Sequence, residues 1–153
     1  MDRNRRKLQR VAAFLDTETT LALATVTVGG SARVTPLFYL PQGLRLYWFS
    51  SSSSGHSRNL GEHPPCAVTV YSRTDDWKQI RGVQMRGMAS MVHDPPLCQA
   101  ITAAYTARFR LGKLFAANLS KSGLYCFDPE WLRYIDNSRR FGYKFELFLH
   151  TAP

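Results

Sequence analysis

The spacing of apolar positions changes several times along this chain, and each change marks a boundary. Leu8, Val11, Ala12 and Leu15 recur on one face of a 3.6-residue repeat, which predicts an amphipathic packing helix over about residues 4–16. Thr20 to Val28 is rich in β-branched and apolar residues. Gly29-Gly30 then reads as a two-residue hairpin, and Ala32 to Leu40 returns as a second antiparallel strand through Val34, Thr35, Leu37, Phe38 and Tyr39. Pro36 has no N–H to give a ladder, so this strand is expected to be interrupted or to lie at an edge, with backbone free to meet something else. Pro41-Gln42-Gly43 turns the chain into a strongly aromatic strand, Leu44 to Phe49, whose Tyr47-Trp48-Phe49 is core by default.

A hydroxyl-rich run, Ser50 to Ser54, follows that strand and leads into a short helix expected over Ser57–Gly61. Pro64-Pro65 stops it, Cys66 to Tyr71 reads as a strand, Ser72 to Trp77 as a polar connection and Ile80 to Val92 as a long strand. Asp94 followed by Pro95 opens a helix carrying Leu97, Ile101, Tyr105 and Arg108, and Arg110 to Leu119 is read as a second helix closed near Ser122-Gly123. Leu124 to Phe127, Trp131 to Asp136 and Tyr143 to Leu149 supply the last strands. The sum is about seven or eight strands in six main runs, with no internal repeat and no linker, so residues 1–153 are expected to make one mainly β domain. Hairpin-linked strands of this kind favour a small antiparallel barrel with helices packed outside it.

Composition narrows the partners. With 44% hydrophobic and 12% aromatic residues in 153, the chain can fill a core without staples. Its three cysteines, Cys66, Cys98 and Cys126, are far apart and odd in number, which indicates neither a disulfide framework nor a zinc site and suits reduced cytoplasm. The basic start Arg3 to Lys7 leads into an amphipathic pattern and not an apolar signal core, and no membrane segment is expected. The four histidines lie in different elements, and no metal is expected. A net charge of +9 attracts phosphorylated cofactors, anionic substrates or polyanions without choosing among them. The basic residues are dispersed and no nucleic-acid motif accompanies them, so nucleic-acid binding is the lesser reading. Hydrolase elbows and dinucleotide-binding glycine motifs are absent from the sequence.

The candidate chemistry lies where the aromatic strand meets the serines. Unpaired N–H groups at a helix start, rotatable hydroxyls and the forked cation of Arg58 together suit a phosphate dianion held beside a flat apolar ring. A capped polar surface loop is the plainer alternative for the same residues.

The order of four features carries a resemblance. Arg33-Val34-Thr35-Pro36 on the second strand, Phe49-Ser50-Ser51 ending the third, Ser57-Arg58-Asn59 opening the helix and Arg81-Gly82-Val83-Gln84-Met85-Arg86-Gly87-Met88-Ala89 in the long strand resemble the flavin-binding split barrels of the pyridoxamine 5′-phosphate oxidase superfamily. Trp131 to Lys144 is similar to the ending of a small, poorly characterised bacterial branch of it. The resemblance implies a six-stranded antiparallel split β-barrel of the FMN-binding type with peripheral α-helices, and a homodimer with FMN sites at the subunit interface. It implies that Arg33, Ser57 and Arg58 hold the FMN phosphate with Ser50 and Ser51 as hydroxyl partners, and that the backbone of Val34, Thr35 and Pro36 lies along the ring. A family glutamine reads the pyrimidine edge of the flavin; this chain has Gly82 there, with Gln84 two residues on and on the same strand face. Asn137, Arg139 and Phe141 are the residues the partner chain would bring to the ring. As residues alone, Arg33 also suits a solvated hairpin end, Gln84 a solvent-facing strand position, and 137–141 a surface turn.

The expected function is therefore an FMN-dependent oxidoreductase using a small-molecule electron donor or acceptor, with no side chain required as acid or base. The substrate-phosphate pattern of true pyridoxamine 5′-phosphate oxidases is missing from the short C-terminal region. A flavin or haem carrier or sensor without turnover is the alternative, and a basic nucleic-acid-binding barrel is the third.

Overall fold

The computed structural model describes residues 2–149. Helix α1, Arg3–Thr17, begins where the Asp2 side chain accepts the Asn4 N–H at 3.1 Å, and it buries Val11, Phe14 and Leu15. Strands β1 (Thr20–Val26) and β2 (Ala32–Phe38) pair in the expected antiparallel register, Val26 opposite Ala32. Their connection is longer than the two-residue hairpin predicted. It runs from Thr27 to Ser31, where the Thr27 N–H donates to Ser31 O at 2.9 Å and the Gly30 N–H to Thr27 O at 2.9 Å, with Gly30 at φ 83°. The Thr27 hydroxyl accepts the Ser31 N–H at 3.0 Å, so its side chain helps stretch the turn.

Beyond β2 the chain breaks at Tyr39. The 32–40 strand and the Pro41 turn of the sequence reading become β2 followed by a short β3 (Leu40–Gln42) hairpinned to β4 (Arg45–Ser50). Helix α2 spans Gly55–Glu62, two residues earlier than expected, because Ser54 and not a later serine caps it. Strand β5 (Pro65–Tyr71), a 3₁₀ turn at Trp77–Gln79, β6 (Arg81–Met91), α3 (Pro95–Phe109) and α4 (Lys113–Leu119) follow. The predicted second helix starts late because Arg110 takes the left-handed conformation, φ 51°, and ends α3. The last two strands are β7 (Gly123–Asp136) and β8 (Lys144–Phe148).

The expected six strands are eight, in one sheet ordered β2-β1-β5-β6-β7-β4-β3, with β8 added to β7. Pro36 is accommodated because β2 is the edge strand, as its missing N–H requires. The two strands read around Pro129 are one strand, β7, because β6 pairs along its whole length. A bulge between Arg86 and Gly87 absorbs the irregularity, with Arg86 opposite Trp131 and Gly87 opposite Pro129. The first half of β7 carries β4 and the second half carries β8, so the two short strands take turns on its outer side.

Two apolar clusters decide which faces remain open. Leu21 and Leu23 of β1, Leu46 and Trp48 of β4, Met85 of β6 and Leu132 of β7 meet α1 in the main core. The alternate residues of β4 turn the other way: Tyr47 joins Ile101, Tyr105 and Leu119 beneath α3 and α4, and Phe49 meets Tyr105 edge-on at 5.0 Å. Neither cluster covers the far face of β1, β5 and β6, which presents Ala22, Ala24, Ala67 and Gln84.

Candidate functional site

The phosphate-binding residues predicted from sequence gather at the start of α2. Ser54 caps the helix, its hydroxyl accepting the Ser57 N–H at 3.3 Å and bonding the Ser57 hydroxyl at 2.7 Å. Ser50, at the end of β4, reaches His56 Nε2 at 2.6 Å, and Ser54 Oγ stands 3.2 Å from the same nitrogen. Ser50, His56 and Ser57 are all buried. Arg33 arrives from β2 across the loop, and a Cβ added at Gly55 would stand 2.1 Å from its Nη1. Arg58 is exposed and follows Gly55 by three residues, hence on a neighbouring part of the helical surface. Ser51 bonds Ser53 at 2.8 Å and faces solvent. Asn59, the next residue of the quoted motif, points to the sheet and donates to Thr25 Oγ1 at 3.0 Å.

The electrostatics of this cradle are one-sided. The N-terminus of α2 carries partial positive charge on amides that no helical carbonyl can reach, and the Arg33 guanidinium is parked against it. The ion pairs found among the described residues, Arg45 with Asp128 and Arg133 with Glu146, lie elsewhere. Burial and then the Arg33 charge hold the His56 imidazole below the usual histidine range, so it is neutral at physiological pH. His56, Ser54 and Gly55 lie outside the motif residues that the sequence marks as candidates. The usable signal was Ser54, a cap residue three positions before Ser57, because it fixes the helix start and with it the side on which His56 sits.

The second group lies on the uncovered face. Val34 of β2 and Gln84 of β6 line one trough of 330 Å³ with Ala22, Ala24, Thr69 and Trp131, and an adjoining recess of 520 Å³ shares Ala24, Ala67, Arg86 and Trp131. Alanines on neighbouring strands make the floor flat, since only a methyl stands above each Cα. Arg86 lies over the Trp131 ring, 4.6 Å from its centre. Gln84 is exposed, between Thr69 and Arg133 on the flanking strands. Thr35 alternates away from Val34 and Pro36, but β2 pairs only with β1, so the other edge of residues 34–36 has no strand on it. Burial pushes the Cys66 thiol up to about 12, which removes it as a thiolate nucleophile in the recess.

Asn137, Arg139 and Phe141 stand apart from both groups. Their turn is fixed within its own chain: Asn137 Nδ2 donates to Trp77 O at 2.9 Å, Asn137 Oδ1 accepts the Gly142 N–H at 3.1 Å, and Phe141 meets Trp77 edge-on at 5.1 Å. Gly142 permits this with φ 71°. The Asn137 N–H donates to Ile80 O, just before β6, whereas Ser57 and Arg58 share a recess with Ser90 and Met91 at the other end of that strand. Ser90 lies ten positions along the chain from Ile80, roughly 33 Å at about 3.3 Å per extended residue. The 137–141 turn and α2 of one chain therefore lie near opposite ends of β6.

The profile of the family described as pyridoxamine 5′-phosphate oxidase matches residues 8–136, most of the described chain. The chain belongs to this family. The sequence is 30% identical over 109 residues to a UPF0306 protein of Cronobacter sakazakii, covering 70% of this chain and 72% of that one. The fold is similar to a pyridoxamine 5′-phosphate oxidase-like protein from Listeria innocua, with TM-score 0.71 and 18% identity over 86% of this chain and 99% of that one. It is also similar to HutZ of Vibrio cholerae, a haem storage protein, with TM-score 0.67 and 23% identity over 80% and 90% of the two chains. The family match spans both the α2 cradle and the trough. No helix of the described residues is long and apolar enough to cross a membrane, and no three His, Cys, Asp or Glu side chains among them gather as metal ligands.

Proposed function

We propose that this family member is an FMN-binding oxidoreductase that works as a homodimer, its sites shared between subunits. The observation that carries the reading is the Arg33 guanidinium against the N-terminal turn of α2. A cation at the positive end of a helix is unfavourable by itself and becomes favourable when a dianion sits between them, which is the charge pattern a phosphate monoester supplies. Ser50 and Ser57 add hydroxyls, Arg58 a second fork, and the unpaired edge of β2 leads from this cradle toward Val34 and the flat trough with Gln84. A phosphorylated planar heterocycle fits that sequence of polar cradle, backbone edge and flat floor. Bound there, FMN would supply two-electron chemistry, while the protein binds, orients and shields it. The separation of Asn137 and Phe141 from α2 of the same chain supports their serving the ring site of a partner, and the single sheet supports one domain over the whole length.

The structural likeness to a haem storage protein favours one second reading, a haem carrier without turnover. The trough lining includes no histidine, which makes the flavin the better match. The purified protein distinguishes them: FMN should bind with its bands near ~450 nm and more tightly than riboflavin. Arg58→Ala should cost FMN on the order of 1.5–3 kcal/mol while leaving riboflavin nearly unchanged. Equal losses for both ligands would remove the phosphate assignment. A strong Soret band with no FMN binding would replace the flavin by haem. Tight FMN binding without reduction by any nicotinamide or other donor would make the protein a carrier or sensor.

A further inference from the structure

A separate recess of 510 Å³ lies between α1 and the Arg81 end of the sheet, lined by Arg6 and Arg10 of the helix, Arg81 of β6 and Arg139 of the 137–142 turn, with Phe14, Tyr134 and Asp136 beneath. It shares no lining residue with the trough or with the recess beside α2. Four guanidiniums face one carboxylate, and that carboxylate is already satisfied by neutral donors. Asp136 Oδ1 accepts the Ser138 N–H at 3.1 Å and the Ser138 hydroxyl at 2.5 Å, and Oδ2 accepts the Tyr134 hydroxyl at 3.3 Å. No arginine of the four forms an ion pair among the described residues.

Three of the four arginines are also held in place. Arg10 Nη1 donates to the Tyr143 hydroxyl at 3.0 Å, Arg139 lies 5.3 Å over the Tyr143 ring, and Arg81 lies 5.3 Å over Phe14. One tyrosine thus positions two guanidiniums, one through its hydroxyl and one through its ring face. These contacts use at most one of the five N–H donors on each fork, so most of the donors remain for a ligand. Like charges gathered in a recess repel one another, and a small dianion removes that repulsion while taking forked hydrogen bonds. We propose that this recess is a second anion site, for a small phosphorylated ligand, separate from the α2 cradle and independent of the flavin reading. It gives Arg139 a role within its own chain.

The test is calorimetric titration of inorganic pyrophosphate into the full chain carrying Arg33→Gln, which weakens the cradle and leaves the recess intact. Binding should remain, and adding Arg6→Gln with Arg10→Gln should weaken it by at least about tenfold, the effect of losing one charge-assisted bond or more. Arg139→Gln, on the other wall, should weaken it in the same direction, and circular dichroism establishes that each variant is folded. Pyrophosphate affinity that survives both sets of changes, or that vanishes with Arg33→Gln alone, would overturn the site. Binding of a single-stranded oligonucleotide through the same arginines, with none of pyrophosphate, would overturn the small-ligand assignment.

Discussion

Arg33 and Gly55 meet because nothing projects from Gly55: the guanidinium occupies the place a β-carbon would take, 2.1 Å from Nη1. Gly55→Ala should displace the end of a flexible side chain and not the backbone. The expected result is FMN affinity lowered about tenfold with the melting temperature nearly unchanged, since one charge-assisted contact is redirected and no core is disturbed. A large loss of stability with unaltered affinity would show that the contact serves folding.

His56 should report the charge around it. Its folded-state pKa is depressed by burial and by Arg33, so across the window just below the ordinary value of about 6.5 the unfolded chain binds a proton that the folded chain does not. Stability then falls as pH drops through that window and levels off below the folded pKa. His56→Gln should flatten this part of the stability profile. A bound phosphate dianion should raise the imidazole pKa, which a pH titration of its ring C–H resonances with and without FMN measures directly. An unchanged His56 pKa on saturation would argue against phosphate at α2.

Sharing in trans is tested with mixed dimers carrying Arg58→Ala in one chain and Asn137→Ala in the other. If cradle and ring contacts come from different chains, both lesions fall on one site and half of the FMN binds with unaltered affinity. If each chain completes its own site, no intact site survives. Co-expression with two affinity tags and titration of the purified mixed dimer reads the stoichiometry.

Gly87 is required for packing. A Cβ there would stand 2.1 Å from Asp128 O and 2.8 Å from Pro129 Cα, at the bulge that keeps β6 and β7 in register. Because the neighbours are backbone, Gly87→Ala should cost on the order of 3 kcal/mol, measured by urea denaturation. A cost within ordinary surface scatter would mean that the bulge can shift by a residue.

The strand and helix types were legible wherever the side-chain period was clear. Leu21, Leu23 and Thr25 alternate inward, α1 shows one apolar face, and Pro36 marked an edge strand because its missing N–H is a local fact. The donor chemistry of the serine and arginine residues was likewise local, and the structure brings Arg33, Ser50 and Ser57 together at the start of α2. What local chemistry could not contain was partnership. Pro129 reads as a break, and only the length of β6 beside it makes Gly123 and Asp136 ends of one strand. His56 looked idle until Ser50 and Arg33, 6 and 23 positions away, were brought against it. Arg139 lies over Tyr143, beside three arginines from α1 and β6, a convergence that no local spacing contains. Period and donor type are properties of neighbouring residues, so the sequence determined them. Register, charge convergence and the face left uncovered depend on contacts between distant segments, and those only the tertiary structure decided.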